Sequence, residues 1–142
     1  IIIGGRYNDL KLESSQSFIG GGYENDIARS AQFYDVVLGT IGAKRIMENE
    51  KFVLWSDNSG QPSFSICIPF NGSEATIGNG SMIAFALDNN EMVHKIYDCA
   101  IKTGASCEGP PGIRNGDYYI CYFRDFDGNK LAAYHYPHDD HL

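Results

Sequence analysis

Apolar residues recur along this chain with two periods, and the periods alternate. Phe18 to Tyr23 is a short extended run, after which Ile27, Ala31, Tyr34, Val37 and Leu38 fall at helical spacing. Asn25-Asp26 ahead of them predicts an N-cap, since a side-chain oxygen there accepts the free amides of a first helical turn. Gly39 and Gly42 predict the stop. Strand-like runs follow at Lys44–Glu48, Lys51–Ser56 and Pro62–Phe70. The second half retraces this order. Ser81–Leu87 predicts a strand, Asp88, Asn89 and Asn90 offer caps, and Glu91 suits the positive end of a helix dipole. Val93, Ile96, Ala100 and Ile101 form the apolar stripe, and Gly104 ends it. Strand-like runs come again at Ala105–Glu108, Asp117–Arg124 and Lys130–Tyr136, with a tight-turn sequence, DFDGN, at 125–129.

Asp26 precedes Gly42-Ala43 by the interval at which Asp88 precedes Gly104-Ala105. That agreement predicts a duplication. Each unit reads strand–helix–strand–strand–strand and leaves one sheet face that a second copy must close. The expected class is α+β: two tandem βαβββ modules, at 18–70 and 80–136, curled into a mixed-sheet cup within one domain at 18–136. Residues 1–17 show no sustained period and are expected as an added arm or short edge strand. Residues 137–142 are expected as a tail.

Composition narrows the function. The chain has 142 residues, 43% of them apolar, which is globular composition. No apolar run approaches the roughly 18–20 residues that span a bilayer, so no membrane partner is expected. Eleven basic residues against 18 acidic ones give a net charge of −7, which repels a phosphate backbone and argues against nucleic acid. Acidity alone is compatible with simple solubility or with a cationic small molecule. Cys67, Cys99, Cys107 and Cys121 form no CxxC and no zinc-type spacing. Buried, reduced thiols and a cytoplasmic location are expected, as no export signal is seen.

Several local signals are weaker. HYPHDDHL places His135, His138 and His141 three apart beside Asp139 and Asp140, which is read as a frayed end rather than a metal tract. His94 is expected on the outer side of its helix without a partner. DFDGNK lacks the Gly and Glu of a calcium loop at the required places. Gly20-Gly21-Gly22 lacks the third glycine of a dinucleotide loop. Cys121 is expected to be an inert core thiol.

FYDVVLGTIGAK at 33–44 and YYICYFRDFDGNKLAAY at 118–134 resemble the vicinal oxygen chelate superfamily, the glyoxalase, bleomycin-resistance and extradiol-dioxygenase group of paired βαβββ modules. The pattern D-x-x-x-S-x-x-F-Y matches at Asp26, Ser30, Phe33 and Tyr34. The pattern F-x-D-x-D-G-N-K matches from Phe123 to Lys130, with Phe126 in place of the usual Pro. The resemblance covers about 18–136 and speaks to fold more than to reaction.

Enzymes of that group usually hold a divalent metal with four His/Glu-type ligands, from the first, fourth, fifth and eighth strands. The resemblance puts those positions on Ile19, near Ser65 to Cys67, on Met82 and on Ala132. Ile and Ala have no lone pairs, and a thioether is a soft ligand. No metal and no cofactor are therefore expected. The resemblance also puts Tyr122 where a substrate-contacting tyrosine lies in related fosfomycin-resistance enzymes. Strand alternation then groups Tyr122 with Ile120 and Tyr118, Met82 with Ala84 and Ala86, and Ala132 with Lys130 and Tyr134. Trp55 is a candidate wall of the cup. Arg114, in GPPGIRNGD, is either a loop cation reaching over the mouth or a solvated charge.

The expected function is metal-independent binding of a cationic or partly aromatic small molecule, in a homodimer, as the resemblance to bleomycin-resistance proteins implies. The alternatives are a lyase or other enzyme using Tyr122 or a relocated carboxylate, a filled core without a cavity, and a remnant that acts only through a dimer surface.

Overall fold

The computed structural model describes the backbone of residues 2–3, 16–20 and 24–26, and backbone with side chains for 27–57 and 63–137. In the first module β2 (Gln16–Gly20) leads to α1 (Glu24–Gly39), then β3 (Lys44–Asn49), β4 (Phe52–Ser56) and β5 (Ser63–Cys67). The second module repeats the order with β6 (Ile83–Ala86), α2 (Asn90–Thr103), β7 (Ser106–Arg114), β8 (Tyr118–Arg124) and β9 (Lys130–His135). The sheets run β2-β5-β4-β3 and β1-β6-β9-β8-β7, where β1 (Ile2–Ile3) is an edge strand parallel to β6. With β1 set aside, the strand order is the same in both, so the duplication read from spacing is a duplication of topology.

The helix-facing core follows from the two periods. Ile27, Ala31, Tyr34, Val37 and Leu38 from α1 meet Val53, Trp55, Phe64 and Ile66 from the first sheet. Val93, Ile96 and Ala100 from α2 meet Ile83, Phe85, Cys121, Phe123, Leu131 and Ala133 from the second. The Asn89 side chain caps α2 by accepting from the Met92 amide, and Gly104 closes it in the left-handed conformation at φ 112°. Only glycine suits this position, because a Cβ would also lie 2.8 Å from the Phe126 ring. α1 starts at Glu24, so Asn25 and Asp26 lie inside the first turn and are not its cap.

The two sequence signatures meet in space. The Ser30 hydroxyl donates to Asp127 at 2.6 Å and the Tyr34 hydroxyl to Asp125 at 2.5 Å. Asp125 also accepts from the amides of Asp127 and Asn129 and from the Asn129 side chain. Phe126 packs on Phe33 with centroids 5.1 Å apart, under the Arg29 guanidinium. Phe126 thus fills an aromatic role where the family pattern has Pro. Burial raises the Asp125 pKa despite these donors, and burial beside Asp125 pushes the Tyr34 phenol well up. The β8–β9 turn of one module is locked onto the helix of the other.

Gly21, Gly22, His138, Asp139, Asp140 and His141 lie outside the described residues, as does most of the expected arm. No helix among the described residues is long and apolar enough to cross a membrane.

Candidate ligand-binding site

Alternation along β8 divides its side chains cleanly. Cys121 and Phe123 enter the helix-side core, while Tyr118, Ile120, Tyr122 and Arg124 take the opposite, concave face. Register pairs Ile120 with Tyr134, Tyr122 with Ala132 and Arg124 with Lys130, and pairs Ala84 with Ala132 from the other side. Tyr118, Ile120, Tyr122, Ala132 and Tyr134 therefore share one face of the second sheet, whereas Met82 lies just outside β6.

Tyr122 is its centre. The Arg114 guanidinium lies 5.7 Å and the Lys130 ammonium 5.3 Å from the ring centroid. Both are drawn to the negative face of the aromatic quadrupole. Arg114 donates to the carbonyls of Ile120, Pro110 and Gly112 at 2.8, 3.0 and 3.4 Å. Glu108 receives Arg124 at 2.9 Å and Lys130 at 3.3 Å, and these cations hold its carboxyl below the usual range. Tyr118 packs beside Tyr134 at 5.7 Å and Tyr136 at 4.7 Å. The surface is an aromatic strip with a charged end.

Four sequence expectations need correction. Trp55 is no wall of this face: it is 1% exposed, packs on Tyr34 and Phe64, and donates to Asp35 at 2.8 Å on the α1 side. Ala132 is fully buried and Ile120 is 9% exposed, so they are floor and present little or no surface of their own. Arg114 is not in a loop. β7 continues through GPPG by two register shifts, and the arginine closes its end by gripping carbonyls. Tyr122 and Tyr134 are half-buried; Tyr118 and Met82 are about 40% exposed. Glu108, Arg124 and Lys130 were missed as a set, although their parity with Tyr122 was the available signal.

The donor set does not fit the superfamily's metal. Ala132 has no donor atom and is sealed, Met82 offers a thioether, and the Ser65–Cys67 stretch offers a buried hydroxyl and one thiol whose pKa burial raises, with no His or carboxylate. Ile19 has no lone pair, though its side chain lies outside the described ones. Among the described residues no group of three His, Cys, Asp or Glu side chains could hold an ion.

A concavity of about 640 Å³ lies elsewhere, at the start of α2. Glu91, Asp117, Tyr119 and His135 are among its lining residues. His94 has a partner after all: its Nε2 is 2.5 Å from the Tyr119 hydroxyl. His135 belongs to β9 and not to a frayed end, with Nδ1 3.0 Å from the Leu87 carbonyl. None of the four cysteines is in a disulfide. Burial pushes Cys121 up to about 12, whereas Cys107 is exposed, contrary to expectation, and accepts from Tyr97 at 3.0 Å.

A family model described as the Glyoxalase/Bleomycin resistance protein/Dioxygenase superfamily matches residues 23–133. A glyoxalase/bleomycin resistance protein of Albidiferax ferrireducens is 38% identical, with a TM-score of 0.75 over 87% of this chain and 98% of that one. A glyoxalase-related enzyme of Fulvimarina pelagi is 17% identical, with a TM-score of 0.70 over 90% of each chain. A family enzyme of Burkholderia phytofirmans is 20% identical, with a TM-score of 0.69 over 87% of this chain and 98% of that one. The last two likenesses speak to fold alone. No curated protein matches the chain.

Proposed function

Because the chain belongs to the glyoxalase/bleomycin resistance protein/dioxygenase superfamily, we propose that it binds a small, partly aromatic molecule on the concave face of its second module, without the superfamily's metal. One observation carries this reading: Tyr122 is half-buried with two cations within 6 Å of its ring, on a face shared with Tyr118 and Tyr134. A surface that joins aromatic area to a few fixed polar groups is what small-molecule sites are made of. The metal-free part rests on the donor chemistry at Met82, Ser65–Cys67 and Ala132, which supplies no His or carboxylate.

The lyase alternative needs a general base. Glu108 serves it poorly, since its bonds to Arg124 and Lys130 favour the ionised form and weaken it as a proton acceptor. The reading includes a homodimer in the cytoplasm, where four cysteines outside disulfides are ordinary. Sedimentation should then give twice the chain mass.

The test is elemental analysis of the purified protein, followed by a thermal-shift screen of aromatic compounds with and without chelator. The expected result is no stoichiometric metal, and stabilisation by some compounds that chelator leaves unchanged. Stoichiometric Ni, Zn, Mn or Fe whose removal abolishes that stabilisation would contradict the proposal.

A further inference from the structure

We infer that the ligand of this face is an anion, of the aromatic carboxylate class; the inference rests on the binding reading above and makes it specific. It reverses the cationic ligand suggested by overall charge. The chain as a whole carries −7. Around Tyr122, however, Arg114, Arg124 and Lys130 gather against one carboxylate, Glu108. The local sign is opposite to the global one, and short-range binding obeys the local sign because distant charges are screened.

Arg114 is the cation that matters most. Guanidinium has five N–H donors, and three bonds go to the carbonyls of Gly112, Pro110 and Ile120. Those acceptors are neutral, so they fix the group without cancelling its charge. Among the described residues no carboxylate lies within 4.0 Å of it, while Arg124 and Lys130 share Glu108. Donors left over from the three bonds match a carboxylate, and a guanidinium already held in place loses little freedom on pairing with one. Lys130, bound to Glu108 at the longer 3.3 Å, is the cation that can turn toward the same anion. The rings of Tyr118, Tyr134 and Tyr136 give the aromatic part of the ligand its contact. An ammonium ligand would instead meet a local excess of positive charge.

The test titrates the whole chain at low salt with three near-isosteric probes: benzoate, benzamide and benzylamine. Nuclear magnetic resonance follows the backbone amides of 118–122 and 130–134. Benzoate should bind about tenfold more tightly than benzamide, benzylamine least, and added salt should weaken benzoate selectively. Arg114→Met should remove the preference. Since Arg114 also ties the β7–β8 end, Lys130→Met provides a second variant, which should weaken benzoate several-fold more than benzamide. Perturbation of these amides by benzylamine as strongly as by benzoate would overturn the anion inference and leave the concave-face reading standing. Silence of these amides toward all three probes would overturn both.

Discussion

Tyr34 and Tyr122 are the same residue put to opposite uses. Tyr34 points from α1 onto the first sheet, is fully buried, and gives its hydroxyl to Asp125. Tyr122 faces the concave side, is half-buried, and has Arg114 and Lys130 beside its ring. The difference lies in the partners each tyrosine meets. On the helix side polar groups close on one another and join the modules. On the concave side an arginine is held by neutral carbonyls and keeps its charge available. Aromatic content therefore does not mark a site; the partners of the aromatic residue do.

The largest test of this contrast is truncation on each side. Trp55→Ala should cost about 3–5 kcal/mol in chemical denaturation, the range for a large buried ring. Tyr118→Ala, on the exposed strip, should cost less than about 1 kcal/mol. Equal losses would break the division between the faces. Asp125→Ala comes next, at about 3 kcal/mol, because it leaves buried amides and the Tyr34 hydroxyl without an acceptor.

Asp125 also sets a pH signature. Its folded pKa is raised from the ordinary 3.8 chiefly by burial, so the native state binds its proton more firmly than the unfolded chain does. Its contribution to stability is complete below pH 3.8 and is lost as pH rises through the folded pKa. Asp125→Asn should remove that downward slope in a denaturation series run from acid toward neutral pH, whatever it does to absolute stability. An unchanged slope would assign it to other groups. The smallest expected effect is Arg45→Ala. Arg45 pairs with Asp35 and Glu48 at the surface and stacks on Trp55, and its loss should cost less than about 1 kcal/mol.

Much of this was legible in the chain. The helical stripes of both modules, the Asn89 cap and the shared face of Tyr118, Ile120 and Tyr122 follow from period and composition. The limits have physical causes. Phe52–Trp55 is an unbroken apolar run whose residues Val53, Leu54 and Trp55 are all buried, so no alternation marked its two faces and Trp55 was assigned to the wrong side. GPPG reads as a loop, yet bulges carry β7 through it and turn Arg114 back onto the strand. His135 looked like part of a terminal tract because its partner, Leu87, lies in another strand's extension. The signatures around Tyr34 and Asp125 were visible one by one, but the bond between them spans 91 residues and needed the fold.

Mapping where a bound aromatic acid perturbs the backbone amides, in protein stripped of divalent ions, tests the central claim most directly. Shifts concentrated on 118–122, 130–134 and the Arg114 segment are the predicted result. Shifts concentrated instead around Asn89, Asp117 and His135, at the start of α2, would contradict it.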